Sequence, residues 1–433
     1  MTSSATWGST ALATDHYELT MLSAALKDGT ADRRCVFEVF ARRLQHGRRY
    51  GVVCGTARLV ESISRFRFGE DELAFLTGTG VVDRATADWL ADYRFSGDID
   101  GYAEGELYFP GSPILTVTGT FAEAVLLETL VLSVLNHDSA IASAAARMVT
   151  AAKGRAIIEM GGRRTHEEAA VACARAAYLA GFASTSNLEA GRRYGIPTAG
   201  TAAHAYTLLH DAEADAFAGQ IAALGTETTL LVDTYDISQG IRNAIAVAGP
   251  KLRAIRIDSG DLSVLARQSR ELLDSLGAHD TKIVVSGDLD EYAIAALAAE
   301  PVDFYGAGTA VVTGSGVPTA QLVYKLVEVE GKPVVKRSEH KATRGGRKTA
   351  VRRHKLTGTA TEEVVVSQGV PDARPGDRLL QRRFVTGGEP VGVPELTDGR
   401  ELLRQGLTSI PWEGLKLSEG DPAVPVTHLG GTG

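Results

Sequence analysis

The sequence predicts an α/β protein: an incomplete parallel β/α barrel of about seven strands, with an additional α+β domain built from the N-terminal and C-terminal regions. Three observations predict it. Beyond Gly154, short apolar runs alternate with helical runs, each pair taking about 25 to 35 residues, as βα units do. Nearly every apolar run is followed at once by small, polar or charged residues, the pattern expected at the C-terminal ends of barrel strands. The first 120 residues and those beyond Gly316 lack that alternation. The chain therefore divides into an N-terminal α+β region at 1–135, an incomplete barrel at 136–316 and a strand-rich, basic C-terminal region and tail at 317–433 that packs with the N-terminal region.

In chain order, short strands at 36–40 and 115–117 are mixed with helices. Residues 121–153 are dense in Ala, Leu, Val, Glu and Ser and hold no Pro, which predicts one or two helices with a break near Asn136-His137-Asp138. Barrel strands are expected at 156–158, 181–183, 197–199, 229–232, 254–257, 282–285 and 302–305. The helices between them, at 167–180, 212–224, 238–247, 262–276 and 291–299, carry apolar residues at helical spacing. From about Glu419 the Gly and Pro content predicts a tail with little structure.

Composition narrows the function classes. A net charge of -8 opposes attraction to nucleic acid or anionic membrane. Cys35, Cys54 and Cys173 are too few and too scattered for a disulfide framework or paired zinc ligands, so a reducing cytoplasm fits best. The N-terminus lacks the features of a signal peptide, and no run approaches the roughly 20 apolar residues of a membrane span.

The chemistry falls on the segments after the strands: 159–164, 184–187, 200–204, 233–236, 258–261, 286–288 and 306–309. In a parallel barrel these loops meet on one face. Gly287 and the turn from Gly306 to Thr309 allow the close backbone approach that a phosphate needs. Arg163 and Arg256 can neutralise further phosphate charge. Asp233, Asp236, Asp258, Asp261 and Asp288 offer hard oxygens to ribose hydroxyls or to Mg2+, with Mn2+ as the alternative, held jointly with substrate phosphates. No direct metal ligand is assigned; Asp258, Asp261 and Asp288 are candidates acting through water. The chain holds no P-loop, so ATP use does not follow from a fold motif.

Each loop also has a structural reading. Ser, Thr, Asn and Asp after a strand commonly cap helices, and Gly makes turns. His204 alone reads as an ordinary hydrogen-bonded histidine, and His137 beside Asp138 is a comparable second candidate. The basic run 336–355, with Lys341, Arg344, Arg347, Lys348, Arg352 and Arg353, is either a solvated face or a binding site for substrate phosphates. It has no aromatic residue for base stacking, which argues against RNA.

The ordered motifs carry a resemblance. They are Thr14 to Met21, Phe37 to Arg43, Glu159-Met160-Gly161-Gly162-Arg163-Arg164, Thr185-Ser186-Asn187, Gly200 to His204, Arg256 to Asp261, and Tyr305 to Thr309. Across residues 12–355 the chain resembles the nicotinate phosphoribosyltransferases, within the type II phosphoribosyltransferases. Met160 stands where that family often has an aromatic residue, and Gly345-Gly346 where it has Pro-Gly.

The resemblance implies an ATP-dependent, ligase-type enzyme that joins nicotinate to phosphoribosyl pyrophosphate, with ATP as co-substrate and Mg2+ as metal. It implies that His204 is transiently phosphorylated, with Arg256 and Asp258 as its catalytic partners. Nicotinate is expected against Tyr17, Arg163, Ser186 and Arg256. Phosphoribosyl pyrophosphate is expected against Arg163, Asp258, Gly287, Asp288, Gly308 and Thr309. It also implies a homodimer, with Tyr17 of one subunit stacking on the pyridine held by the other. Ser186 stands where nicotinamide-using relatives place an aspartate, and a neutral hydroxyl favours the acid. The competing readings are an enzyme preferring nicotinamide, a silent nucleotide-binding regulator, and an RNA-binding protein.

Overall fold

The structure, a computed structural model, describes residues 8–336, 344–393 and 395–430. The chain forms two compact units, Ile141–Pro318 and Met1–Ala140 with Thr319–Gly433.

Ile141–Pro318 is built on six parallel strands: Ala156–Glu159, Ser184–Thr185, Thr229–Leu231, Ala254–Ile257, Lys282–Ser286 and Phe304–Ala307. The first strand lies between the second and the sixth, and the fifth, fourth and third follow the sixth in turn. The strands follow chain order around the sheet with the opening between the second and the third, which is the order of an opened barrel. Here the sheet curls into a half-barrel. Its strands read as apolar runs because Ile255, Ile257, Ile283, Val285, Tyr305 and Ala307 are buried, as strands covered on both faces must be.

Two of the expected seven strands differ. Residues 181–183 are not a strand: Gly181 caps the helix Glu167–Ala180 at φ 122°, and the ladder begins at Ser184. Residues 197–199 contribute one parallel bridge, Thr185 to Thr198. Pro197 has no N–H to extend it. The sheet therefore has six strands and a bridge in the remaining position.

The other unit holds an antiparallel sheet of seven strands, with Arg34–Ala41 between Leu322–Val329 and Leu115–Thr120. A four-stranded sheet and a two-stranded ribbon complete it. Its core gathers Leu22, Leu59, Val117, Leu127 and Leu135, with Phe37 stacked on Tyr324 at 4.9 Å.

Three further expectations are corrected. The helix Glu128–Ala151 runs unbroken through Asn136, His137 and Asp138, and the interruption falls at Leu126 and Leu127 instead. Asn136 is spared from capping because its side chain pairs with both backbone groups of Leu322. Together with Phe121–Val125 this stretch is long and apolar enough to cross a membrane by composition, yet 67% of its most apolar window is buried. A core helix gives that reading. The tail is structured as well: Val424 is fully buried and Val426–Leu429 pairs in parallel with Ala360–Ser367.

Among the described residues of the basic run, Arg347, Lys348, Arg352 and Arg353 are paired with carboxylates of the protein rather than forming one solvated face. Lys348 is buried against both oxygens of Glu38, at 2.9 and 3.1 Å. Arg352 is fully buried between Glu106 at 2.5 Å and Glu363 at 2.7 Å, and Arg347 pairs with Asp100 at 2.7 Å. Arg353 pairs with Glu362 at 3.0 Å. Lys341 lies outside the described residues.

Candidate functional site

The site is built at the C-terminal ends of the parallel strands. Arg256, on the fourth strand, spends all three of its guanidinium nitrogens on neighbouring elements. Nε donates to Ser286 Oγ at 2.7 Å, Nη1 to Thr201 Oγ1 at 2.8 Å and Nη2 to Asp258 Oδ1 at 2.7 Å. Ser286 in turn donates to the same Asp258 oxygen. Burial pushes the Asp258 carboxyl up, but the bonds from Ser286 and Arg256 and the charges of Arg256 and His204 outweigh it and hold the carboxyl below its usual range.

Asp233, after the third strand, is the hub behind them. Its Oδ2 accepts from the Asp258 amide and from Ser259 Oγ, both at 2.8 Å. Its Oδ1 is buried and accepts no hydrogen bond, and His204 Nε2 stands 4.0 Å from it. His204 Nδ1 faces Thr234 Oγ1 at 3.1 Å. The imidazole opens the short helix His204–Leu208 and is 42% exposed. One ring edge is therefore tied to the protein while the ring remains reachable by a ligand.

The phosphate-type backbone lies beside this cluster. Gly287 has φ 104°, and a Cβ there would stand 2.4 Å from the Asp258 carbonyl, so only glycine fits. Asp288 follows at φ 45°. Gly308 precedes the short helix Thr309–Val312, and a Cβ on Gly161 would press within 2.9 Å of the Gly308 carbonyl.

The expected site residues fall into three groups. His204, Arg256 and Asp258 are brought together, and Gly287 lies against the Asp258 carbonyl with Asp288 directly after it in the chain. Arg163 and Ser186 stand exposed on the loops after the first two strands. Asp236 and Asp261 cap helices, accepting from Gln239 at 2.8 Å and Val264 at 3.3 Å, which is the structural reading of those positions.

Tyr17 belongs to the other unit, on the helix His16–Asp28, and is 44% exposed. Partial burial and the neighbouring Glu128, Glu18 and Asp15 push its hydroxyl up to about 12. His137 also lies in that unit, at 2.8 Å from buried Asp138, which Arg58 grips as well. Sequence reasoning missed Thr201 and Ser286 as holders of Arg256, and it missed Glu159. That carboxylate is 1% exposed and burial pushes its pKa up. Its position at a strand end, opening the segment Glu159 to Arg164, was the signal that could have found it.

Residues 12–136 match the model of the nicotinate phosphoribosyltransferase N-terminal domain, and 141–317 that of the quinolinate phosphoribosyl transferase C-terminal domain. The nicotinate phosphoribosyltransferase pncB1 of Mycobacterium tuberculosis is 62% identical over 428 residues, covering 96% of this chain and 95% of that protein. The chain belongs to the nicotinate phosphoribosyltransferase family.

The same organism's nicotinate phosphoribosyltransferase pncB2 is 40% identical, covering 96% of this chain and 91% of the relative. Among solved structures, that of human nicotinic acid phosphoribosyltransferase aligns with a TM-score of 0.84 and 26% identity over 96% of this chain and 97% of that one. The half-barrel is the part matched by the quinolinate-type model, and it carries every member of the His204, Asp233, Arg256 and Asp258 cluster. A nicotinate phosphoribosyltransferase of this family thus has its polar cluster at the end of the sheet where barrel folds place their chemistry.

Proposed function

We propose that this chain joins nicotinate to 5-phosphoribosyl 1-pyrophosphate, giving nicotinate mononucleotide and pyrophosphate, coupled to ATP hydrolysis through transient phosphorylation of His204. That reaction is the first step of NAD synthesis from nicotinate. The observation that carries it is the exposed His204 imidazole beside the buried, unpaired Asp233 oxygen, on the carboxylate that also holds the Asp258 backbone.

The pyridine nitrogen attacks ribose C1 as pyrophosphate leaves, so positive charge develops at the sugar. Asp258, held ionised by Arg256 and Ser286, is suited to stabilise it. Gly287, Asp288, Gly308 and Thr309 take the 5-phosphate, and Arg163 with Ser186 the nicotinate carboxylate. A neutral imidazole nitrogen accepts the phosphoryl group from ATP. Asp233, 4.0 Å away, orients the ring. The protein acts in the cytoplasm as a homodimer in which Tyr17 of one subunit covers the pyridine bound by the other.

The residues fit Mg2+ held mainly by substrate phosphates and water. Among the described residues no three His, Cys, Asp or Glu side chains cluster as a metal cage, and Asp261 is engaged in its cap. Asp258 Oδ2 accepts no hydrogen bond among the described residues and can meet a hydrated ion, with Asp288 nearby. When bound, the ion neutralises charge on the leaving pyrophosphate.

The test combines two assays. Pyrophosphate release is expected with nicotinate and not with nicotinamide. Incubation with γ-labelled ATP is expected to leave acid-labile label on the wild type and none on His204→Ala. Turnover with nicotinamide alone overturns the substrate, and acid-stable label retained by the variant overturns the phosphohistidine.

A further inference from the structure

We infer that Glu159 is a positioning residue that sets nicotinate affinity by tying together the two loops that carry Arg163 and Ser186. The inference rests on the substrate reading above.

Glu159 ends the first parallel strand with its side chain sealed from solvent. Burying a carboxylate is unfavourable unless its oxygens are matched by donors. Both are matched, one by the loop after the first strand and one by the last residue of the second strand. Oε1 accepts the Gly161 amide at 2.5 Å, two residues before Arg163. Oε2 accepts the Thr185 hydroxyl at 2.5 Å, immediately before Ser186. The Thr185 oxygen then accepts the Asn187 amide at 2.9 Å, while the Glu159 carbonyl takes the Ser186 amide at 2.8 Å.

One side chain therefore fixes the backbone on both sides of the proposed carboxylate-binding pair. A leucine would fill the same volume and hold neither loop. The phosphate side is supported differently. The Ala307 carbonyl, just before Gly308, accepts the Met160 amide at 2.7 Å, and Gly287 is fixed by its approach to the Asp258 carbonyl. Neither contact uses the Glu159 carboxylate. Loss of that carboxylate should loosen the pyridine end of the site more than the phosphoribosyl end, where only Arg163 and the packing of Gly161 on Gly308 depend on it.

The chain is assayed as wild type, Glu159→Gln, Glu159→Leu, Thr185→Val and Thr185→Ser, with both KM values, kcat and the melting temperature measured for each. Glu159→Leu should raise the KM for nicotinate about tenfold or more, because a loop displaced by a fraction of an ångström loses an oriented ionic contact. Its KM for phosphoribosyl pyrophosphate, which Arg163 also meets but which Asp258, Gly287, Asp288, Gly308 and Thr309 hold independently, should rise by only about two- to threefold. Glu159→Gln and Thr185→Val should show the same split at smaller size, and Thr185→Ser, which keeps the hydroxyl, should recover most of the loss.

Two outcomes overturn the proposal: both KM values rising together in step with lost melting temperature, or Thr185→Ser behaving like Thr185→Val. If Glu159→Leu does not fold, the two Thr185 variants decide between the outcomes. A wild type that fails to turn over nicotinate overturns the substrate reading instead, which keeps the two failures distinct.

Discussion

Asp233 is the residue on which the proposed mechanism is most sharply testable. One of its oxygens is saturated by the Asp258 amide and Ser259, so the carboxylate cannot rotate freely. The other is buried without a partner and faces His204. An unpaired buried carboxylate oxygen is costly, and an imidazole N–H moving in from 4.0 Å would relieve that cost. Asp233→Asn keeps the shape and removes the charge. We expect it to slow labelling of His204 from ATP by roughly tenfold to a hundredfold, the rate equivalent of the ~1.5–3 kcal/mol that a hydrogen bond to a charged group contributes. Rapid-quench labelling measures it, and an unchanged rate would show that the contact does not matter to phosphoryl transfer.

At this scale the sequence was legible where a residue type is tied to one chemistry and opaque where it is not. Arg256, Asp258 and Gly287 stood out after their strands, and the structure brings them together. Thr201 and Ser286 are short hydroxyls that serve equally as caps, and only folding shows that both hold one guanidinium. The converse holds for Asp236 and Asp261, whose cap geometry favours the plain reading.

Among the elements, the C-terminal strand Val426–Leu429 was the least expected. Gly and Pro around it signal turns, but the strand forms because Ala360–Ser367 offers an edge to pair with. Arg49 secures the approach by donating to the carbonyls of Ser418, Glu419 and Asp421 at 3.1–3.4 Å. Such support comes from residues distant in the chain, 369 positions away for the bond from Arg49 to Ser418, and leaves no local signal. The helices of the half-barrel were legible for the opposite reason. Glu167–Ala180 and Leu262–Ser275 carry their own periodicity and caps.

The tail strand also carries a pH dependence. Burial first, then Arg344 and Lys348, push the His428 imidazole down to about 4, and its Nδ1 has no hydrogen-bond partner. An unfolded histidine titrates near ~6.5. Above that pH both states are neutral and the full stability is present. Below it the unfolded chain binds a proton that the folded chain refuses until about pH 4, so stability falls across that window. His428→Leu removes the group. Between pH ~6.5 and ~4.5 the wild type should lose roughly 2 to 4 °C more melting temperature than the variant. Parallel curves in a thermal shift series would exclude His428 as the source.

On the scale of the whole molecule, chain connectivity makes the half-barrel unit an insertion. The unit Met1–Ala140 is completed only by Thr319–Gly433, and its strand Arg34–Ala41 pairs Cys35 with Val329. The half-barrel draws its strands from one continuous segment, and most neighbours in its sheet are consecutive. Closing a long loop costs entropy before the distant contact repays it, so local pairings form first. We therefore expect two phases in refolding. Pulsed hydrogen exchange should find amides of Ala254–Ile257 and Lys282–Ser286 protected roughly tenfold earlier than those of Arg34–Ala41. The buried Arg352, Glu106 and Glu363 network should close late as well, because Glu106 and Arg352 come from opposite sides of the insertion. Protection of Arg34–Ala41 at the same rate as the parallel strands would mean that the two ends of the chain meet before the half-barrel forms, and the order argued from connectivity would be wrong.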